Sequence, residues 1–174
     1  IIGGLLLAGG NGLLAIAEQT VPSGIAALII ATLPLWVAIL GRVFFGAALY
    51  ISVVQHPAAL EAGVPFAARF FGPMYRRASV LQVAAAILGT IAAALAWYRG
   101  AGVAWLFGAM LLFAVIPFTL VAIMPVNRQL LAPGRDPDST DTESLLRRWA
   151  SLHAVRTALS GFAFVLFAVA MHGS

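Results

Sequence analysis

The 174-residue sequence contains no cysteine and no lysine, and only 9% of its residues are charged. Without cysteine the chain has no disulfide, no thiolate metal site and no cysteine nucleophile. A water-facing surface needs far more charge, so the composition excludes an ordinary soluble domain. The sequence also lacks a phosphate loop, a dinucleotide fingerprint and a nucleophile elbow. Because 62% of the residues are hydrophobic and the mean hydropathy is +1.01, we expect the chain to lie in a lipid bilayer.

All ten basic residues are arginine, and six acidic residues leave a formal net charge of +4. In a membrane protein this excess is explained by topology and by contact with anionic headgroups, so we expect no nucleic-acid partner. The sequence begins at Ile1 inside an apolar run, without a methionine or a charged region typical of a signal peptide. We expect the residues before it to be missing or removed.

Four apolar stretches predict membrane-spanning helices, at residues 35–55, 79–98, 103–124 and 145–171. The predicted fold is an all-α polytopic membrane protein, a four-helix transmembrane bundle preceded by an extra N-terminal apolar helix at 1–17 and a short oblique or re-entrant segment at 25–33. Pro34 divides the chain into an N-terminal segment, 1–33, and the bundle, 34–174. Between the spans we expect an interfacial connector at 56–78 and a solvated polar loop at 125–144.

Two features of the spans predict their packing. Ala85, Gly89 and Ala93 recur every four residues, a spacing typical of a close helix-packing face. Pro117 lacks the amide hydrogen that would bond the Phe113 carbonyl, which predicts a kink in the third span.

The arginines predict the orientation of the bundle. If the four spans alternate, seven arginines lie on one side, namely Arg69, Arg76, Arg77, Arg128, Arg135, Arg147 and Arg148. Arg99 and the nearby Arg42 lie on the other side. The positive-inside rule then places the arginine-rich side in the cytoplasm, and we expect the membrane to be a bacterial inner membrane. Trp36, Trp97 and Trp105 fall at the opposite interface, where we expect an aromatic belt.

A polar stripe crosses the start of the fourth span. Trp149, His153, Arg156 and Ser160 are separated by four, three and four residues, so they share one face of a helix. An ionisable residue in a span usually faces the bundle interior or a wet cavity. The alternative is that Arg156 reaches to the headgroups and that His153 bonds a neighbouring carbonyl.

Polar residues of all four spans converge at the arginine-rich end of the bundle. Candidate catalytic residues are His153, His56 and Arg156, and candidate substrate-binding residues are Arg76, Asn127, Tyr75 and Trp149. An imidazole can accept a proton from an acidic ligand while guanidinium groups hold the resulting oxyanion. The alternative for each residue is structural: a helix cap for His56, a headgroup anchor for Arg76, a helix end for Asn127.

A cofactor is not expected from the residues. His56 and His153 could ligate haem b or a metal, but no carboxylate within the spans offers a third ligand. We therefore expect no metal and no cofactor, with haem b or a metal at these histidines as the weaker alternative.

Residues 43–174 resemble the anthrone oxygenase-like family of four-span membrane proteins, much of which is a domain of unknown function. The matching stretches are FFGAALYISVVQHPAAL, FGPMYRRASVLQ, AVIPFTLVAIMPVNRQLL and LLRRWASLHAVRTALSGFAF. The resemblance implies oxidation of a small flat phenolic or anthrone-like substrate by dioxygen without a cofactor. It also implies functional roles for the family-like polar positions, His56, Arg76, Asn127, His153 and Arg156.

Residues 1–40, with GGNGLLAIAEQTVPSGIAALIIATLPLWVAIL, resemble two helices of a drug/metabolite transporter repeat. Two helices cannot build the central site of such a transporter. Three hypotheses follow for the chain: an oxygenase acting at the cytoplasmic interface, a non-catalytic accessory subunit of a larger membrane complex, and, more weakly, a transporter fragment. The expected partners are the lipid bilayer, a small hydrophobic ligand, and a membrane-protein partner or a second copy of the chain.

Overall fold

A computed structural model describes residues 32–172, so nearly all of the predicted N-terminal segment lies outside the described residues. Within 32–172, four helical segments are long and apolar enough to cross a membrane: Leu35–Glu61, Val64–Tyr98, Val103–Leu130 and Thr140–Met171. They are called spans 1 to 4 below. The predicted all-α, polytopic membrane fold is confirmed.

The four spans form a closed bundle. Each span packs against the next, and span 4 packs back against span 1. Short turns join spans 1 and 2 and spans 2 and 3, and they use glycine where the backbone needs positive φ, +109° at Gly63 and +102° at Gly102. Consecutive spans are therefore antiparallel, and spans 2 and 4 begin at the arginine-rich end, where spans 1 and 3 finish.

Spans 1 and 3 each contain a π-helical turn near their arginine-rich ends. Span 1 lies in the α-helix Leu33–Tyr50, the π turn Ile51–Gln55 and the α-helix His56–Glu61. Span 3 comprises Val103–Phe118, the π turn Thr119–Ile123 and Met124–Leu130. Each π turn ends two residues before a proline, Pro57 or Pro125. A proline ring crowds the carbonyl four residues earlier, and a wider turn relieves that contact.

The interfacial connector predicted at 56–78 is wrong. Span 1 continues to Glu61, Ala62 and Gly63 make the turn, and span 2 begins at Val64 rather than at Ser79. Pro57 and Pro65 lie in the first turns of their helices, where the missing amide hydrogen costs little. Of the three prolines between 56 and 78, only Pro73 lies inside a helix, on the exposed face of span 2.

The polar loop predicted at 125–144 is also shorter in the structure. Span 3 continues to Leu130, and span 4 starts at Thr140. The Ser139 hydroxyl oxygen accepts a hydrogen bond from the Thr142 amide at 3.2 Å, as an N-terminal helix cap does. Because Ser139 lies six residues before Leu145, the polar residues ahead of the apolar run belong to the helix.

The small residues of span 2 lie in the core as predicted. Ala85, Gly89 and Ala93 are buried, and a Cβ atom on Gly89 would lie 3.1 Å from Leu112 of span 3. Trp105 was expected in an interfacial belt, but it is only 1% exposed because it stacks on Phe167 of span 4 at 5.4 Å. The belt prediction is therefore wrong for Trp105.

A glycine-to-alanine pair tests how tightly spans 3 and 4 pack. A Cβ atom on Gly108 would overlap the buried ring of Phe167, whereas a Cβ atom on Gly46 would meet no atom within 4 Å. We expect Gly108→Ala to lower the free energy of unfolding in detergent by about 1–3 kcal/mol through overpacking. Gly46→Ala should leave it unchanged or raise it by roughly 0.5–1 kcal/mol through helix propensity. Equal melting of the two variants would contradict the close packing.

Candidate functional site

The polar stripe of span 4 faces the interior of the bundle. Trp149, His153, Arg156 and Ser160 are all buried, with Arg156 the most exposed at 8%. An uninterrupted helix from Thr140 to His172 keeps them on one face. Arg156 therefore does not reach out to the lipid headgroups.

The stripe forms one wall of a cavity of about 180 Å³ between spans 2, 3 and 4. Five of the seven predicted site residues line it, namely Tyr75, Asn127, Trp149, His153 and Arg156. The remaining walls are largely aliphatic, including Ala86, Val115 and Ile123. An apolar cavity with a few convergent polar groups is the usual form of a small-molecule site.

The other two predicted site residues do not line the cavity. His56 is buried beside it, and its Nε2 atom donates a hydrogen bond to the Leu146 carbonyl at 3.1 Å. The Trp149 ring lies between the two imidazoles, 5.0 Å from His56 and 4.7 Å from His153. Arg76 is exposed at the arginine-rich end of span 2. The contacts of His56 are therefore suited to positioning Trp149 and the start of span 4.

Several polar atoms on the cavity walls have no hydrogen-bond partner among the described residues. They are Gln82 Nε2, Asn127 Nδ2 and Oδ1, Trp149 Nε1 and Arg156 Nε. Gln82 is 3% exposed and Asn127 1% exposed, so neither reaches bulk water. An unsatisfied buried polar group costs about 1–3 kcal/mol, and these groups all belong to one cavity, where water or a polar ligand can bond them.

Arg156 is also buried without a carboxylate. The ion pairs within residues 32–172 are Arg135 with Asp141 and Arg147 with Glu143, both away from the cavity. The guanidinium instead lies over the Phe44 ring, with its Cζ atom 5.4 Å from the ring centroid. The cavity wall therefore carries a positive charge whose counter-ion the described residues do not supply.

Hydrogen bonds to span 1 orient the His153 ring. The Thr157 hydroxyl lies 3.0 Å from the His153 carbonyl oxygen and 3.3 Å from that of Ala48, so it donates to a carbonyl. Ser52 Oγ lies 2.8 Å from Thr157 Oγ1 and 2.9 Å from His153 Nδ1. Since the Thr157 hydrogen is already used, Ser52 donates to Thr157 and accepts from the Nδ1–H group of His153. The neutral ring then keeps its lone pair on Nε2.

The sequence profile of the family described as "Anthrone oxygenase" matches residues 71–166, which include the cavity-lining parts of spans 2, 3 and 4. The chain belongs to the anthrone oxygenase family. Its site therefore lies within the matched part of the sequence, apart from residues of span 1 such as Ile51, Ser52 and His56.

Curated relatives match a shorter stretch of the chain than the family profile does. An "Uncharacterized inner membrane transporter YedA" from Escherichia coli, in strains K12, O6:H1 and O157:H7, is 56% identical over 45 residues. The match covers 25% of this chain and 15% of the transporter, which agrees with the short transporter-like segment. No solved structure matches the chain.

Three residues of this site were not predicted from the sequence: Gln82, Ser52 and Thr157. Gln82 is the single carboxamide between Ser79 and Tyr98, and a lone polar residue in an apolar span is a signal for function. Thr157 follows His153 by four residues and so continues the stripe. Ser52 gives no comparable signal, because its partners lie more than 100 residues away in sequence.

A metal site would require several histidine or acidic side chains close together. Within residues 32–172, no group of three histidine, aspartate or glutamate side chains lies close enough to hold a metal ion. His56 already donates its Nε2 hydrogen to a carbonyl. The cavity walls offer hydrogen-bond donors and one cation, a set suited to an oxygen-bearing organic ligand.

The orientation of His153 is testable by ¹⁵N NMR of the histidine-labelled protein in lipid nanodiscs. We expect a protonated, pyrrole-type Nδ1 and a pyridine-type Nε2, because Nδ1–H is the donor to Ser52. Ser52→Ala should mix the two tautomers, since it removes that acceptor. Ser160→Ala is the matched control. The Ser160 hydroxyl donates to the Thr157 carbonyl and takes no part in the side-chain hydrogen bonds that join His153, Ser52 and Thr157. A proton on Nε2 in the parent protein would contradict the assigned direction of the hydrogen bonds.

Proposed function

We propose that this protein is a cofactor-independent oxygenase that oxidises a small, flat, phenolic or anthrone-like substrate in the cavity. The observation that carries the proposal is the buried Arg156 guanidinium, which lies without a carboxylate one helical turn from His153. A ligand that becomes an anion when a base removes its proton supplies the missing negative charge. Membership in the anthrone oxygenase family supports this class of substrate.

In the proposed reaction His153 is the general base. Its Nε2 lone pair takes a proton from the methylene carbon between the two aromatic rings of an anthrone. The electron pair delocalises onto the ketone oxygen, which becomes a phenolate-like oxyanion. Arg156 and the N–H groups of Trp149 and Asn127 are the available donors for that oxygen.

Dioxygen then reacts with the electron-rich carbon. A carbon–oxygen bond forms, the proton held by His153 passes to the outer oxygen, and the resulting hydroperoxide loses water. The methylene group becomes a carbonyl, one oxygen atom stays on the product and the other leaves as water. Anthrone and dioxygen therefore give anthraquinone and water, and this balance requires no external reductant and no cofactor.

The remaining predicted site residues receive supporting roles. His56 holds Trp149 and the start of span 4 through the Leu146 carbonyl, so it is a positioning residue. Tyr75 forms part of the wall beside Met124, towards which its hydroxyl points at 4.0 Å. Arg76 lies exposed at the arginine-rich end, where an arginine binds lipid headgroups. A protein that binds the ligand without oxidising it would instead fit the accessory-subunit hypothesis.

A pair of histidine variants tests the proposed base. Asn at position 153 keeps an N–H donor for Ser52 but lacks the Nε2 lone pair, so His153→Asn should lower the turnover of anthrone about 10²- to 10⁴-fold. The thermal transition should stay close to that of the parent. Anaerobic exchange of the anthrone methylene hydrogens for deuterium measures the proton-transfer step alone, and it should fall in parallel.

His56→Gln is the matched control, because a glutamine amide can still donate to the Leu146 carbonyl. We expect it to retain most of the turnover and of the hydrogen exchange. Unchanged turnover in His153→Asn, or a parent protein that binds anthrone without consuming dioxygen, would reject the oxygenase proposal.

We further propose that the protein lies in a bacterial inner membrane with the arginine-rich side in the cytoplasm. The seven arginines at that end of the bundle favour this orientation, and the partial relative is named as an inner membrane transporter. The ends of spans 2 and 4 opposite this side would face the periplasm.

The orientation is testable by cysteine labelling, because the parent chain has no cysteine. Tyr98→Cys and Asp138→Cys place exposed thiols at opposite ends of the bundle without changing any arginine. In intact cells a membrane-impermeant maleimide should label Tyr98→Cys, whereas Asp138→Cys should react only after permeabilisation. Labelling of Asp138→Cys in intact cells would reverse the orientation.

A further inference from the structure

The arginine-rich end of the cavity is closed by side chains. An apolar cluster that includes Phe71, Val126, Leu145, Leu146 and Trp149 packs across the bundle at that end. Phe71 and Val126 are each 1% exposed, and Leu146 is fully buried. Since Phe71 precedes Gln82 by three helical turns, the cluster lies between the cavity and the cytoplasmic surface. These buried side chains restrict the access of water to His153 along the bundle axis.

The cavity is open instead between spans 2 and 3. Three of its lining residues belong to the outer surface of the bundle: Val83 is 51% exposed, Ile87 42% and Leu120 57%. They lie in apolar parts of helices long enough to cross a membrane, where lipid chains would surround them. We call this gap, flanked by Val83, Ile87 and Leu120, the lateral opening.

The volume of the cavity agrees with a ligand that uses this opening. An enclosed apolar cavity of about 150 Å³ holds one benzene. The 180 Å³ found here accommodates one aromatic ring with its substituents. A ligand with several fused rings would keep one ring inside, with the remainder extending through the lateral opening towards the hydrocarbon.

Gln82 stands at the inner side of this opening. It lies one residue before Val83 and one turn before Ala86, lines the cavity and is 3% exposed. Its Nε2 atom has no partner in the described part of the chain. A neutral amide donor at this position suits the carbonyl or ether oxygen of an uncharged ligand, whereas Arg156 suits the oxygen that becomes charged.

We propose that the ligand is a membrane-dissolved aromatic ketone that enters from the bilayer through the lateral opening, and that Gln82 binds one of its acceptor oxygens. This inference deepens the proposed function and rests on it for the class of ligand. It adds a specificity-determining residue and a route that bypasses water. Oxidation itself is not required for such binding.

The test uses 9,10-anthraquinone, a flat diketone with acceptor oxygens and no acidic proton, so it probes binding without the base. The full chain is labelled with 5-fluorotryptophan in nanodiscs, and ¹⁹F NMR follows the Trp149 resonance during titration; Trp149→Phe assigns the resonance. Gln82→Leu should raise the dissociation constant about ten-fold, the size of one hydrogen bond. Its melting temperature should not fall, because the substitution removes an unsatisfied buried group.

Trp105→Phe is the control for Gln82→Leu. The Trp105 indole nitrogen is also buried without a partner among the described residues, but Trp105 does not line the cavity. Binding should therefore be unchanged in Trp105→Phe. A parent-like dissociation constant in Gln82→Leu would overturn the role of Gln82.

A second pair of variants tests the route. Val83→Phe with Leu120→Phe narrows the lateral opening, and Val80→Phe with Val121→Phe adds at least as much bulk at exposed positions that do not line the cavity. The exchange rate from line-shape analysis should fall at least ten-fold for the first pair only. Equal rates for the two pairs would overturn entry from the bilayer.

The outcomes separate this inference from the proposed function. Failure of the parent to bind anthraquinone would overturn the inference about the ligand. Binding that depends on Gln82, together with anthrone that is not oxidised, would instead leave the inference standing and reject the oxygenase.

Discussion

The burial of the Arg156 guanidinium inside an apolar bundle is the constraint on which the rest of the site depends. Removing a cation from water costs several kcal/mol unless a partner compensates for it. The Phe44 ring offers a cation–π contact worth up to about 2 kcal/mol, and no ion pair of the described residues involves Arg156. Gln82 and Trp149 add further donors without partners in the described part of the chain, and Asn127 contributes an acceptor beside its own donor. The cavity is therefore suited to a ligand rich in acceptor oxygens, and binding such a ligand would relieve the cost of the buried charge.

The π-helical turns lie where two apolar helices contribute hydrogen-bonding groups to this site. Both turns lie just before a proline, so one steric cause places a wider turn in spans 1 and 3. The turn in span 1 contains Ser52, which orients His153. The turn in span 3 contains Thr119 and Ile123, which line the cavity, and it leads directly to Asn127. The His-Pro and Met-Pro pairs in the sequence thus mark the places where the backbone adapts to the site.

The sequence predicted what depends on local periodicity. The stripe from Trp149 to Ser160 and the packing face at Gly89 each lie on one uninterrupted helix, so residue spacing alone determines their faces. The connector at 56–78 was mispredicted because a proline in the first turn of a helix and a proline that ends one look alike in sequence. The contacts of His56 with Leu146 and of Ser52 with His153 join residues about 90 to 100 positions apart. Periodicity carries no information about such pairs, so the division of roles between the two histidines required the structure.

Placing the base and the cation together at a site shielded from water has a chemical consequence. In a medium of low dielectric constant, a charge interaction between Arg156 and a nearby oxyanion is several times stronger than in water. The same surroundings disfavour an oxyanion that accepts no hydrogen bonds. Proton transfer to His153 would therefore be favourable only when the ligand oxygen lies at the Arg156 guanidinium. The Nδ1–H group of His153 donates to Ser52, which donates to Thr157, and this leaves Nε2 as the basic atom of the ring. Selectivity for the ligand and activation of its carbon–hydrogen bond would then arise from the same pair of residues, one helical turn apart on span 4.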